Sequence, residues 1–168
     1  MNAREILYRQ LMNTHRAAVA RIAFSFSRHR AEREDLEQDI WFAIWRALPV
    51  YRGDASFRTF VLRIAHNRAI SSIAARRPDV SLDAAAEVAA PEPSPESEAR
   101  RDEQAAQLLV AVRRLPVGLR QAVSLRLEGL SLAEIGQVLG ITENNATVRL
   151  NRARERLRQL LEASHERE

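Results

Sequence analysis

A chain of 168 residues with 46% hydrophobic and 29% charged side chains can bury one core or two small ones, which excludes wholesale disorder. Its formal net charge is +4 and all 26 of its Lys/Arg positions are Arg. Arg forks onto phosphates and guanine edges, so nucleic acid is an open partner that net charge alone does not prove. Cysteine is absent, which removes disulfides, thiolate metal sites and thiol redox sensing together.

The four histidines, His15, His29, His66 and His165, are scattered without a metal-ligand spacing, and no metal or cofactor is expected. The N-terminal stretch is interrupted by Arg throughout, with no cleavage-like end, and no run approaches the ~18 apolar residues of a membrane span. A cytoplasmic protein without membrane insertion is the expectation.

Residues 3–12 and 15–27 read as two short helices, with Ile6, Leu7, Leu11, Val19, Ile22, Ala23 and Phe26 as their apolar faces. Residues 28–34 are charged and lack apolar periodicity, so they read as a surface connection. The next helix starts at Asp35 and carries both tryptophans, Trp41 and Trp45. At about 100° per residue, Leu36, Ile40, Ala43 and Ala47 share a core stripe, whereas Asp35, Gln38, Asp39, Phe42 and Arg46 share another row. That row fits a protein contact, and periodicity alone equally allows aromatics packed on neighbouring helices.

After Pro49 the loop offers Tyr51, Arg52 and Gly53, a residue able to take positive φ, and Ser56 is a candidate N-cap. In the helix that follows, Phe57, Phe60, Val61 and Ile64 form the expected core stripe, with Thr59, Arg63 and His66 outward. A hydroxyl, guanidinium and imidazole beside an aromatic-basic loop suit single-stranded DNA, since bases stack on rings while cations follow phosphates. Simple solvation of the helix face is the alternative. Four helices up to about Ala75 would make the first domain.

Composition changes at Arg76-Arg77-Pro78. From there to Ala99 the chain is acidic and rich in Ala, Pro and Ser, and Pro91, Pro93 and Pro95 forbid a continuous helix. This stretch reads as a linker. The second domain starts near Arg101, where Ala105, Leu108, Leu109, Val112 and Leu115 repeat at helical spacing. A second helix opens at Val117 and stops at Gly129. Ser131 and Glu134 form a capping box for a short helix closed by Gly140, and Thr142 caps the last helix. A short helix, a glycine turn and a capped second helix predict a helix-turn-helix.

On the last helix Ala146, Leu150, Ala153, Leu157 and Leu160 share a packing stripe. Opposite lie Asn144, Val148, Asn151 and Glu155, with Arg152 close by. Thr147, Arg154 and Arg158 line one flank, Asn145, Arg149 and Arg156 the other. Amide and apolar groups between arginine flanks are what base edges between two phosphate backbones require, so this helix reads as a DNA-recognition helix.

Two stretches also carry a resemblance. DLEQDIWFAIWRALPVYRGDASFRTFVLRIAHNRAI, residues 35–70, resembles the region 2 segment of the extracytoplasmic-function (ECF) sigma factors of the sigma-70 superfamily, which binds core polymerase and melts promoters. LPVGLRQAVSLRLEGLSLAEIGQVLGITENNATVRLNRARERL, residues 115–157, resembles their region 4 promoter-recognition domain. The second departs from the family pattern: a frequent cation is here Thr147, a frequent hydroxyl is Val148, and Gly136 replaces a usual Ala, at roughly 1 kcal/mol of helix propensity. Room for a close helix crossing is one reason for that glycine.

The resemblance implies an all-α fold of two small helical domains, residues 1–77 and 101–168, joined by a flexible linker, 78–100. It implies a sigma factor without catalysis of its own, with core RNA polymerase, promoter DNA and an anti-sigma factor as partners. Asp35, Gln38, Asp39 and Phe42 would face polymerase. Tyr51, Arg52, Phe57, Arg58, Arg63 and Asn67 would line the melted −10 strand. Asn144, Thr147, Val148, Arg149, Asn151, Arg152, Arg154 and Arg158 would meet the −35 element. The rival from another class is a free-standing helix-turn-helix regulator that binds its operator without polymerase. An enzyme acting on nucleic acid finds no clustered carboxylates, metal-ligand spacing or nucleophile with a base.

Overall fold

The structure, a computed structural model, describes residues 2–76 and 99–165. The chain divides into two units, Met1–Asp79 and Val80–Glu168. Of the expected linker, residues 78–98 lie outside the described residues, while 99 and 100 open a helix of the second unit.

In the first unit, α1 (Ala3–Phe26) is capped by the Asn2 side chain, which accepts from the Glu5 N–H at 3.1 Å. It is one helix where two short ones were expected. The polar Asn13-Thr14 pair contains no Gly or Pro to break it, and burial of Leu11 before it and Val19, Ile22, Ala23 and Phe26 after it holds the weak middle helical. Ile6, placed on the apolar face by periodicity, is 42% exposed.

The charged stretch at 28–34 is also not a loose connection, because α2 (Arg30–Ala47) already starts there. Arg76, from the end of α3 (Phe57–Arg76), donates to Glu32 at 2.5 Å and to the Phe26 carbonyl at 2.8 Å. It thereby ties the last turn of α1 to the first turn of α2. Arg28 adds its backbone N–H to Glu32 at 2.8 Å and its guanidinium at 2.6 Å. The first unit therefore has three α-helices among its described residues, where four helices were expected.

Along α2 the buried residues are Leu36, Ile40, Trp41 and Ile44. Ala43 and Ala47 are only half-buried, so the core stripe is rotated towards Trp41. Tyr8 of α1 donates to the Trp41 carbonyl at 3.1 Å and meets the two indoles edge-on at 6.2 and 5.1 Å. Arg4 lies 3.8 Å over the Trp45 ring, a cation–π contact, and donates to its carbonyl.

A 3-10 turn, Leu48–Val50, leads into the loop, where Gly53 takes φ +79°. Ser56 caps α3 by accepting from the Thr59 N–H at 3.1 Å. Because α3 packs against both α1 and α2, its buried face is wider than one stripe and centres on Val61, Leu62, Ala65 and Ala69. Phe57, Phe60 and Ile64 are half-buried at its edge. Thr59 and His66, expected outward, are 1% and 3% exposed. The Thr59 hydroxyl is occupied by Ser56 at 3.1 Å, and His66 meets the Phe26 ring edge-on at 5.8 Å.

The second unit contains α4 (Ala99–Arg113), α5 (Val117–Leu127), α6 (Leu132–Leu139) and α7 (Glu143–His165). Val112, Leu115, Val123 and Ala153 form one cluster of its core, with Leu108, Leu119, Leu150, Leu157 and Leu160 packed around them, and Leu125, Leu130, Ile135 and Ala146 are also fully buried. Gly129, at φ +85°, ends α5: its N–H reaches the Arg126 carbonyl and that of Leu130 reaches Leu125, closing a Schellman turn. Ser131 and Glu134 make the capping box of α6 at 3.1 and 2.7 Å, and Gly140 closes α6 at φ +66°. Gly136 serves a close approach: a Cβ there would lie 2.8 Å from the Ile141 carbonyl oxygen. Its tight neighbour is the turn backbone rather than another helix. Thr142 caps α7 by accepting from the Asn145 N–H at 3.1 Å.

Candidate polymerase and nucleic-acid interfaces

Three exposed surfaces follow from this packing. On α2 the side facing away from the core carries Asp35, Gln38, Phe42 and Arg46, all exposed. Phe42 is 59% exposed, with the Arg46 guanidinium 5.8 Å from its ring centroid. An aromatic this open beside carboxylates suits a protein contact better than a solvated face. Asp39 is in the same row, but its two oxygens already accept Nε and Nη2 of Arg68 on α3, each at 2.7 Å. Sequence periodicity could not find Arg68, since no local spacing connects residues on different helices.

The second surface combines the loop with α3. Tyr51 stacks on Phe57 with centroids 4.7 Å apart, touches Phe60 at 4.8 Å and donates its hydroxyl to the Ala55 carbonyl. Tyr51 and Phe57, both expected along the melted strand, are therefore one preformed aromatic block, half-buried. Arg52 is exposed beside it, as is Val50 at 75%. Arg63 and Asn67 are exposed one turn apart, on the side of α3 that also carries Phe60 and Ile64. Arg58 does not join them. It sits in the first turn of α3, roughly 140° round the helix from Arg63, close enough to α1 that its charge, after burial, helps push His15 below its ordinary value.

The third surface is α7. Ala146 and Ala153 are fully buried and Leu150, Leu157 and Leu160 half-buried, while Asn144, Val148, Asn151, Arg152 and Arg154 are exposed opposite or beside them. Several polar groups are engaged within the helix. Thr147 donates its hydroxyl to the Glu143 carbonyl at 3.0 Å, and Arg149 donates Nε to Asn145 at 3.2 Å, its guanidinium facing Gly118 of α5. Arg158, expected as a free phosphate contact, is held by Glu155 at 2.8 Å and Glu162 at 2.9 Å. Those i,i+3 and i,i+4 spacings were visible in the sequence. Arg152 and Arg154 have no hydrogen bond or ion pair among the described residues.

Among the described residues no three His, Asp or Glu side chains are grouped to hold a metal ion, and no helix is long and apolar enough to cross a membrane.

Comparison with known proteins shows the family. The profile of sigma-70 region 2 matches residues 11–78, and that of sigma-70 region 4 matches residues 105–157. RNA polymerase sigma factor CnrH of Cupriavidus metallidurans is 30% identical over 94% of this chain and 87% of its own length. The RNA polymerase sigma-H factor of Pseudomonas aeruginosa is 36% identical over 78% of this chain and 74% of its own. The solved structure of CnrH in complex with the cytosolic domain of CnrY aligns with a TM-score of 0.68 at 26% identity, covering 95% of this chain and 90% of that one.

Proposed function

This chain belongs to the ECF sigma factors of the sigma-70 family, and from that premise we propose how its surfaces divide the work of transcription initiation. It binds core RNA polymerase and directs initiation at specific promoters. The exposed α2 row of Asp35, Gln38, Asp39 and Phe42 is the polymerase contact, with Arg68 orienting Asp39. The Tyr51-Phe57 block with Arg52, Arg63 and Asn67 meets the melted −10 strand, Arg58 reaching it from the α1 side. The first half of α7 enters the duplex at the −35 element, and Arg149, Arg154 and Arg158 lie towards its phosphates.

The observation that carries this reading is that the surfaces fall, in order, inside the two matched regions: α2 and α3 within 11–78 and most of α7 within 105–157. The chain acts by binding energy alone, with no catalysis of its own: a few kcal/mol per unstacked base step are offset by stacking and phosphate contacts. It works in the cytoplasm, in units bounded near 77 and 101. An anti-sigma protein holds it inactive, as a CnrY domain complexes the related CnrH.

Run-off transcription with purified core polymerase tests the reading. A promoter-directed transcript should require both core and this chain. A chain that binds duplex DNA tightly by itself and has no affinity for core would instead be a free-standing regulator.

A further inference from the structure

In the first half of α7, internal partners sort the exposed side chains. Asn145 and Arg149 hold each other, and the Thr147 hydroxyl is turned back onto the helix. Asn144, Val148 and Asn151 are exposed and carry no hydrogen bond or ion pair among the described residues. They stand at i, i+4 and i+7, in a row directly opposite Ala146 and Ala153, both 0% exposed. Val148, at the centre, is 39% exposed. A β-branched apolar side chain there gains nothing from water and is a poorer helix former than Ala. Its use lies in what covers it when the helix is bound.

In the major groove the one apolar group a base pair offers is the thymine 5-methyl, and an Asn amide pairs bidentately with adenine N6 and N7. From Asn144 to Asn151 the helix rises about 10 Å, close to three base steps of about 3.4 Å. Resting on the role of α7 proposed above, we propose that Val148 reads a thymine methyl group and that Asn144 and Asn151 hydrogen-bond adenines on either side of it. The −35 preference of this chain is then centred on A·T pairs. A cytosine opposite Val148 is rejected because its amino group would be desolvated against an apolar side chain.

The test uses the full chain as holoenzyme with core polymerase, on promoter templates carrying a randomised block at the −35 position. Initiating templates should be enriched in two adenines three base steps apart with a thymine between them. In the best of them, that thymine is replaced by deoxyuridine, which removes the methyl and keeps every hydrogen-bonding group. Binding by the wild type should weaken about three- to fivefold, while Val148→Ala, at an exposed site where Ala favours the helix, should be weaker throughout and indifferent to the replacement. Replacing these adenines one at a time by 7-deazaadenine should likewise weaken the wild type, and at one of the two positions leave Asn151→Ala unchanged.

If no thymine is enriched, or deoxyuridine weakens wild type and Val148→Ala equally, the inference fails while the sigma reading stands. If the wild type initiates on no template in the pool, the sigma reading fails and takes the inference with it.

Discussion

Asp39 and Arg68 form a bidentate ion pair across α2 and α3, with Nε and Nη2 each 2.7 Å from a carboxylate oxygen. The Asp39 carboxylate, proposed above as part of the polymerase contact, is thus already partnered inside the fold. Both side chains remain about two-fifths exposed, at 41% and 44%. In solvent such a pair contributes roughly 0.2 to 1 kcal/mol. A carboxylate accepts about four hydrogen bonds, so Arg68 uses two and leaves the outer lone pairs for a partner's cation.

This pair decides how the polymerase contact should be probed. Asp39→Arg alone sets two guanidiniums against each other, so lost binding could come from the fold. In the exchange Asp39→Arg with Arg68→Asp, the internal pair returns with its polarity reversed. Thermal stability should recover to within about 0.5 kcal/mol of wild type, whereas affinity for core should stay down by at least 2 kcal/mol, as for a reversed interface charge. Recovery of core binding in the exchanged protein would make Asp39 a structural residue.

Acid should loosen the first unit in two stages. Burial holds His66 down to about 4 from an ordinary 6.5, and its Nδ1 has no partner. Between those values the unfolded chain binds a proton that the folded chain does not. Stability is therefore complete above pH 6.5 and falls towards pH 4, by up to about 1.4 kcal/mol per pH unit. Burial raises Glu32, but the hydrogen bonds from Arg28 and the charges of Arg76 and Arg28 outweigh it and hold the carboxyl at about 2, below its ordinary 4.5. Its contribution is present above 4.5 and lost as pH falls towards 2. Both tryptophans, Trp41 and Trp45, lie in this unit, so urea unfolding followed by tryptophan fluorescence reports it alone. His66→Leu should flatten the upper window and Glu32→Gln the lower.

The second unit was more legible in the sequence than the first, for a physical reason. Its helix ends are set by local chemistry: Ser131 with Glu134, Gly129, Gly140 and Thr142 all act within a few residues, and the Ala146 to Leu160 stripe faces one small core. In the first unit the decisive contacts are non-local. Arg76 reaches Glu32 and Phe26 across 44 and 50 residues, which turns a charged, aperiodic stretch into the start of α2. Because α3 is covered by two helices, Thr59 and His66 are drawn inward against their polarity. The same separation hid Arg68 from the α2 row. Arg63 and the exposed strip of α7 were readable, since only their own helices place them.

Two helical glycines should respond differently to alanine. At Gly136 the new Cβ would sit 2.8 Å from the Ile141 carbonyl oxygen, in a turn whose Ile141 N–H already donates to the Gly136 carbonyl at 3.0 Å. Overpacking against backbone costs about 1 to 3 kcal/mol, which outweighs the roughly 1 kcal/mol gained in helix propensity. Gly136→Ala should therefore lower the melting temperature of the second unit. At Gly118 the nearest atom is the end of the Arg149 side chain at 3.5 Å, an ordinary contact, so Gly118→Ala should raise the melting temperature or leave it unchanged. Circular dichroism melts check both, and a stabilised Gly136→Ala would mean that the turn between α6 and α7 is wider than described.

The arginines of α7 should not contribute equally to duplex DNA binding. Arg154 is exposed with no partner among the described residues, so placing it on a phosphate displaces no internal contact. Each phosphate neutralised adds about 0.9 to the slope of log affinity against log salt. Arg154→Ala should therefore reduce that slope by close to one contact and weaken all sequences alike. Arg158 stands between Glu155 and Glu162, a trio with a net charge of −1, and can reach a phosphate only by leaving one or both carboxylates. Exposed pairs of this kind are weak enough to exchange, but two of them draw the guanidinium away from DNA. Arg158→Ala should reduce the slope by clearly less than Arg154→Ala, and Glu155→Gln with Glu162→Gln should bring the contribution of Arg158 up to that of Arg154. Salt titrations of the four proteins on one duplex measure this directly. Equal slopes for Arg154→Ala and Arg158→Ala, unchanged by the glutamine pair, would show that the ion pairs do not persist in solution.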